Sequence, residues 1–290
     1  MAGIKEIRTR IASVINTQKI TSAMKMVSAA KLRKAQLAVS QMRPYAAKLQ
    51  EILQVISSQL SDGENTSVYT QTRSEEKVVI VAIASNSGLC GGFNANICKK
   101  VISVMHELSA QDIDVYAIGK KAVEGLTVRD VSPSKSFIEI YDNFSFEEVS
   151  RISGELMEMF VHEKVDKVIL VYNSFVNAAS QNVTQEQFLP IVQSVESDND
   201  DVQFENDYIF EPSKEYIVEE LIPRSLKIQF FSAMLDSIAS EHGARMTAMH
   251  QATDNATDLL RNLRLDYNKA RQASITNEIL EIVSGANALG

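Results

Sequence analysis

The residues able to do chemistry are few and scattered. Behind the first apolar run stands SNSGLCGGFN, residues 85–94, and a glycine turn after a strand is where nucleotide-binding folds cradle phosphate on backbone N–H groups. The spacing Gly88, Gly91, Gly92 fits neither G-x-G-x-x-G nor G-x-x-x-x-G-K-[ST], and no Lys or Ser/Thr occupies the P-loop positions that follow. The turn is therefore read as structural, its missing Cβ atoms letting strand and helix pack closely. Of four histidines, His106 and His162 fall in predicted surface helices, while His242 and His250 are eight apart on a long helical stretch. No pairing with a nucleophile or carboxylate can be read from them, and neither pair has the spacing of a zinc site. Cys90 and Cys98 form no C-x-x-C pattern and are read as small buried hydrophobes in a reducing compartment. No catalytic, cofactor-binding or metal-ligating residue is predicted.

The elements around the turn predict an α/β layer domain. Residues 77–84, KVVIVAIA, form an unbroken apolar run that reads as a buried parallel strand. A helix follows through Ile97, Val101, Val104, Met105 and Leu108. Residues 114–119 and 165–172 read as further strands, the latter behind a helix at 146–162, and residues 175–180 with 187–195 suggest a closing hairpin. Strands alternating with helices imply a largely parallel, Rossmann-like sheet.

Two long helices flank this domain. Ile7, Ile11 and Val14 begin a seam that resumes at Leu32, Ala35, Val39, Met42, Ala46, Leu49, Leu53, Ile56 and Leu60. A repeat of 3.5 residues is the mark of a coiled coil. Between these stretches the seam reads Gln18, Thr21, Lys25, Ser28, while Ile20, Met24 and Val27 lie on another face, so a change of partner or register is expected there. Pro44 is expected to kink or break the helix, and the polar residues 61–74 to end it. Residues 224–288 contain no proline and would make a helix of about 100 Å at about 1.5 Å per residue. Charges recur along it from Asp236 to Glu281, leaving no apolar run of about 18 residues, so it wants a helical partner and not a bilayer.

Charge is segregated along the chain: +9 over residues 1–50, −17 over 51–223 and 0 over 224–290, which make up the net −8. Three electrostatic regimes imply three surroundings. The basic helix has no interleaved aromatics and no recognised nucleic-acid motif, so its cations are read as meeting acidic protein surfaces and no nucleic-acid partner is predicted. The amphipathic N-terminus lacks the apolar core of a signal peptide. Any membrane attachment is expected only through partners.

Several segments resemble the γ-subunit family of F-type ATP synthases, the central shaft of the F1 sector. ITNEILEIVSGANA at 275–288 fits the family's Ile/Val-Thr, following acids and Gly-Ala. NTQKITSAMKMVSAAKLRKAQ at 16–36, SGLCGGFN at 87–94, SEHGARMTAMHQATDNA at 240–256 and YNKARQAS at 267–274 extend the match over the chain. One departure is Asn86-Ser87, where many relatives carry Asp-Arg or Asp-Lys.

The resemblance implies a long antiparallel two-helix coiled coil from the N- and C-terminal helices plus the Rossmann-like α/β middle domain. On this reading residues 1–60 are the first coiled-coil helix, 61–76 a linker, 77–212 the middle domain and 213–290 the second helix. It implies a rotor without catalytic sites, partnered by an α3β3 ring, an ε subunit and a membrane c-ring, on the cytoplasmic face of the bacterial cell membrane, with no cofactor. Lys19, Met24, Lys25, Arg245, Arg271, Gln272, Thr276 and Glu278 become candidate contacts with α and β. Ile275, Ile279 and Ile282 join them as a stripe that either runs in an apolar collar or pairs with the first helix. The alanines Ala244, Ala248, Ala252, Ala256, Ala270 and Ala273 either pack closely or simply favour helix. Tyr208, Ile209 and Glu211 are the candidate c-ring and ε contacts. The competing readings are a coiled-coil tether with an α/β head and a nucleotide-binding enzyme built on the glycine turn.

Overall fold

The computed structural model describes residues 3–59, 68–71, 73–108, 110, 112–178, 180–191 and 214–289. Its elements run α1 (Ile4–Gln59), β1 (Lys77–Ile83), α2 (Phe93–Glu107), β2 (Asp112–Ile118), α3 (Lys120–Thr127), β3 (Lys135–Phe137), α4 (Phe146–Val161), β4 (Lys167–Phe175), β5 (Gln181–Leu189) and α5 (Lys214–Leu289). They group into two compact units, Ala30–Ala244, and Met1–Ala29 with Arg245–Gly290.

In the larger unit five strands form one sheet in the order β3-β2-β1-β4-β5. The apolar run of β1 is central because it can be buried on both faces, and it pairs in parallel with β2 (Val79 opposite Asp114) and β4 (Val79 opposite Val168). Val78, Ile80 and Ala82 point to the face covered by α2 and α3, where Ile97, Val101, Val104 and Leu126 meet them. Val79, Val81 and Ile83 point to the opposite face, under α4 and α5. Ser145 caps α4 by accepting from the Glu148 N–H (3.3 Å), and Val149, Ile152, Leu156, Met157 and Phe160 at helical spacing bury its inner stripe. From α5 come Ile222, Leu226, Phe230, Ala233 and Met234, with Phe230 set edge-on to Phe188 of β5 at 5.6 Å.

Two local expectations are corrected here. The closing hairpin is β4 with β5, so residues 176–178 and 180 lie between its strands and not in one, while 192–195 lie outside the described residues. The helix at Pro44 does not break: α1 runs through it, and α5, which starts at Lys214, runs through Pro223. One proline costs a helix interior about 3 kcal/mol. Burial of Val39 and Leu49 around Pro44, and of Ile222 and Leu226 around Pro223, offsets that cost.

In the smaller unit the N-terminal part of α1 lies antiparallel to the C-terminal part of α5. The expected slip of the seam is absent: Ile7, Thr21 and Ser28 are buried and Ile11, Val14, Gln18 and Lys25 half-buried, so one face serves throughout. The polar positions stay in the seam because they find polar partners across it. The hydroxyls of Thr21 and Thr253 are 2.9 Å apart, and Gln18 Nε2 donates to Thr257 Oγ1 at 2.8 Å. Ile20 and Val27 are consequently left uncovered on the far side, each more than half exposed.

Candidate partner-facing surface

The smaller unit ends in a single helix. Arg8 donates to the Tyr267 hydroxyl at 3.0 Å and lies over its ring at 5.8 Å. The same contact holds the Tyr267 hydroxyl below the usual phenol range. With Arg8 level with Tyr267 and Gln18 level with Thr257, the start of α1 falls near Ala270. Residues 275–287, which follow, are all exposed.

This tip carries five of the eleven candidate ring contacts. Ile275, Ile279 and Ile282 are 49%, 55% and 71% exposed, so they do not pair with α1. At about 100° per residue they make one stripe, which Leu280 and Val283 widen to roughly half the helix circumference. The sequence reading missed those two because it followed a narrow stripe. Thr276 and Glu278 stand beside it: the Thr276 hydroxyl donates to the Gln272 carbonyl at 3.0 Å, and Ser274 donates to Glu278 at 3.4 Å. Arg271 and Gln272 are exposed where the paired part ends.

Farther along, Lys19 is exposed and Met24 and Lys25 are half-buried beside the uncovered Ile20 and Val27. Arg245 differs from the other candidates in being only 7% exposed, so it supports the fold where a free surface cation was expected. Among the alanines, Ala256 is buried and Ala248, Ala252 and Ala270 half-buried, as close packing requires, whereas Ala273 is exposed. Tyr208, Ile209 and Glu211 lie outside the described residues.

The glycine turn belongs to a different place, the carboxyl ends of β1 and β4 in the larger unit. Its backbone is shaped by left-handed residues, Leu89 at φ 62° and Gly91 at φ 60°. Close packing is supplied by Gly92 alone, where a Cβ would lie 3.3 Å from the Asn96 side chain; one on Gly88 would only touch Lys121 at 3.9 Å and one on Gly91 would meet open space. A closer approach lies outside the turn at Gly125, where a Cβ would come to 2.6 Å from Cys98 Sγ. Both cysteines are buried and neither forms a disulfide. Asn86 locks the turn to its neighbours, accepting from the Lys120 N–H and donating to the Ile138 carbonyl, each at 2.9 Å. A carboxylate at this position would keep the first bond and lose the second, which gives the departure at residue 86 a local role.

Above these strand ends the space is taken by α5. Ala244 packs with Cys90 and Phe93, and Asn173 of β4 donates to the Phe93 carbonyl at 3.4 Å. Tyr141 donates to the Ala84 carbonyl at 2.7 Å, and burial together with the nearby Glu241 carboxylate raises its hydroxyl well above the usual phenol range. A phosphate would find an acidic side chain and a helix there. Among the described residues no group of three or more His, Cys, Asp or Glu is placed to hold a metal ion. No described helix is long and apolar enough to cross a membrane.

The comparisons agree with this arrangement. The ATP synthase family model matches residues 3–289. The ATP synthase gamma chain of Christiangramia forsetii is 56% identical, over all of this chain and 99% of the relative. That of Flavobacterium johnsoniae is 53% identical with the same coverage. Among solved structures, a chain of the Tetrahymena thermophila mitochondrial ATP synthase central stalk and c-ring is 26% identical with a TM-score of 0.59, covering 80% of this chain and 99% of that one. A chain from the Euglena gracilis mitochondrial ATP synthase shares the fold at a TM-score of 0.71 and 21% identity, covering 99% of this chain and 94% of that one. With its sequence matched from end to end and its fold built on the same pattern, this chain belongs to the ATP synthase gamma chain family.

Proposed function

We propose that the chain is the central-stalk rotor of an F-type ATP synthase, coupling ion-driven rotation of a membrane c-ring to ATP synthesis and hydrolysis at the sites of an α3β3 ring. The observation that carries this reading is the unpaired apolar tip of α5, residues 275–287. A shaft must turn inside its bearing without being trapped. Hydrophobic contact is non-directional, so an apolar tip in an apolar collar keeps its burial at every angle, whereas specific hydrogen bonds would have to break. Ile20 and Val27 give the paired part of the shaft a second uncovered apolar strip. Lys19, Met24, Lys25, Arg271, Gln272, Thr276 and Glu278 are the side chains through which the ring would sense the angle, the cations by charge-assisted bonds to acidic loops. Arg245 acts with them by setting the position of the helix.

On this reading the subunit itself catalyses nothing, the chemistry residing on the β subunits. Residues 1–60 and 213–290 form the shaft and 77–212 the domain outside the ring. Tyr208, Ile209 and Glu211 face the c-ring and ε. The protein sits at the cytoplasmic face of the cell membrane, held there by its partners. The test is assembly: mixed with α and β subunits, the chain should enter an ATPase of native mass corresponding to three α, three β and one copy of this chain. A chain that stays apart would be a tether with an α/β head. Tight ATP or NAD binding by the isolated chain, lost in Gly91→Val, would favour an enzyme.

A further inference from the structure

The strand order reverses between β1 and β4, and open α/β sheets take their ligand outside the carboxyl ends of the strands at such a point. Here the chain fills that crevice with its own helix. Residues 241–244 of α5 meet Tyr141, the turn after β1 through Cys90 and Phe93, and the turn after β4. The last contact depends on Gly243. A Cβ built there would lie 3.2 Å from the Ala178 carbonyl oxygen and 3.3 Å from its Cα. Because both are backbone atoms, only movement of the turn or the helix would relieve the contact. Glycine in a helix interior is unfavourable relative to alanine. Its presence where α5 touches the β4–β5 turn calls for a reason.

We propose that Gly243 is a positioning residue for rotary coupling: it lets α5 seat directly on the backbone of the α/β layers, so that torque passes between them without slack. This rests on the rotor reading. A larger side chain would lift α5 from the crevice and loosen the packing of Ala244 on Cys90 and Phe93. Torque would then twist this joint while ATP turnover in the ring continued.

The measurement is protons pumped per ATP hydrolysed, with the full complex assembled from α, β, this chain and the membrane sector in proteoliposomes. Gly243→Ala should lower the ratio about 2-fold and Gly243→Val at least about 5-fold, with hydrolysis per assembled complex within about 2-fold of wild type. Gly125→Ala, which strains the Cys98 contact away from the crevice, should destabilise the chain and leave the ratio unchanged. An unchanged ratio in both Gly243 variants overturns the proposal, and so does an unchanged ratio in Gly243→Ala if Gly243→Val does not assemble. An equal fall in Gly125→Ala also overturns it, since stability alone would then explain the loss. Failure of the wild-type chain to restore any pumping would instead sink the rotor reading.

Discussion

Replacing Ile279 and Ile282 together by serine should separate what the tip does for the chain from what it does for the ring. Their exposures, 55% and 71%, together amount to a little more than one whole isoleucine side chain in contact with water. Burying one such side chain is worth about 1.5–3 kcal/mol, which corresponds to roughly 10- to 150-fold in an equilibrium constant. If the collar covers the stripe, the double variant should bind an α3β3 ring weaker by that factor. The isolated chain should not notice the change, because the groups removed are already hydrated. Its urea midpoint should stay put, surface substitutions away from special contacts being worth within about 0.5 kcal/mol. The assay is titration of fluorescently labelled chain into α3β3, paired with urea unfolding of the chain alone. Unaltered affinity would show that nothing apolar covers the tip. A lowered unfolding midpoint would show that the stripe is buried within this chain, and the reasoning from exposure would fail.

Three further outcomes test the larger unit. Phe230→Ala removes a fully buried ring set against Phe188 and should cost about 3–5 kcal/mol in urea unfolding. Gly125→Ala places a carbon 2.6 Å from Cys98 Sγ and should destabilise by about 1–3 kcal/mol, with Cys98→Ala restoring part of the loss in the double variant. Asp236 lies beside α1 and β4 with one carboxylate oxygen buried and without a hydrogen bond. Burial raises its carboxyl above the usual value, against the pull of Arg43 and a bond from Ser174, with Glu186 adding to the rise. The folded chain therefore holds this proton to higher pH than the unfolded chain does, so the group's contribution to stability falls as pH rises from the usual carboxylate value through the folded one. Asp236→Asn should match wild type below that window and gain on it as pH rises through it, as read by unfolding at pH 3 and pH 7. An equal difference at both would rule the ionised carboxylate out as the cause.

Much of this molecule is visible in residue order because its signals are local. KVVIVAI, short and rich in β-branched residues, reads as a strand buried on both faces, and a sustained 3.5-residue spacing reads as a long paired helix. The absence of a legible catalytic constellation and the segregation of charge likewise need no coordinates. What residue order obscured are the places where distant groups compensate a local cost. Gln18 and Thr21 break the apolar seam in sequence, yet Thr257 and Thr253, more than two hundred residues away, complete it. Pro44 reads as a kink or break and is carried through by packing on either side. Arg245 carries the same charge as Arg271 and is buried where Arg271 is exposed. Tertiary structure alone decided which part of α5 lacks a partner, because that depends on where α1 begins in space and not on any property of residues 275–287. It also decided that a glycine turn of nucleotide-binding appearance is closed by a helix from the other end of the chain. Local sequence sets each element's preference, but only the folded chain brings in the neighbour that outweighs it.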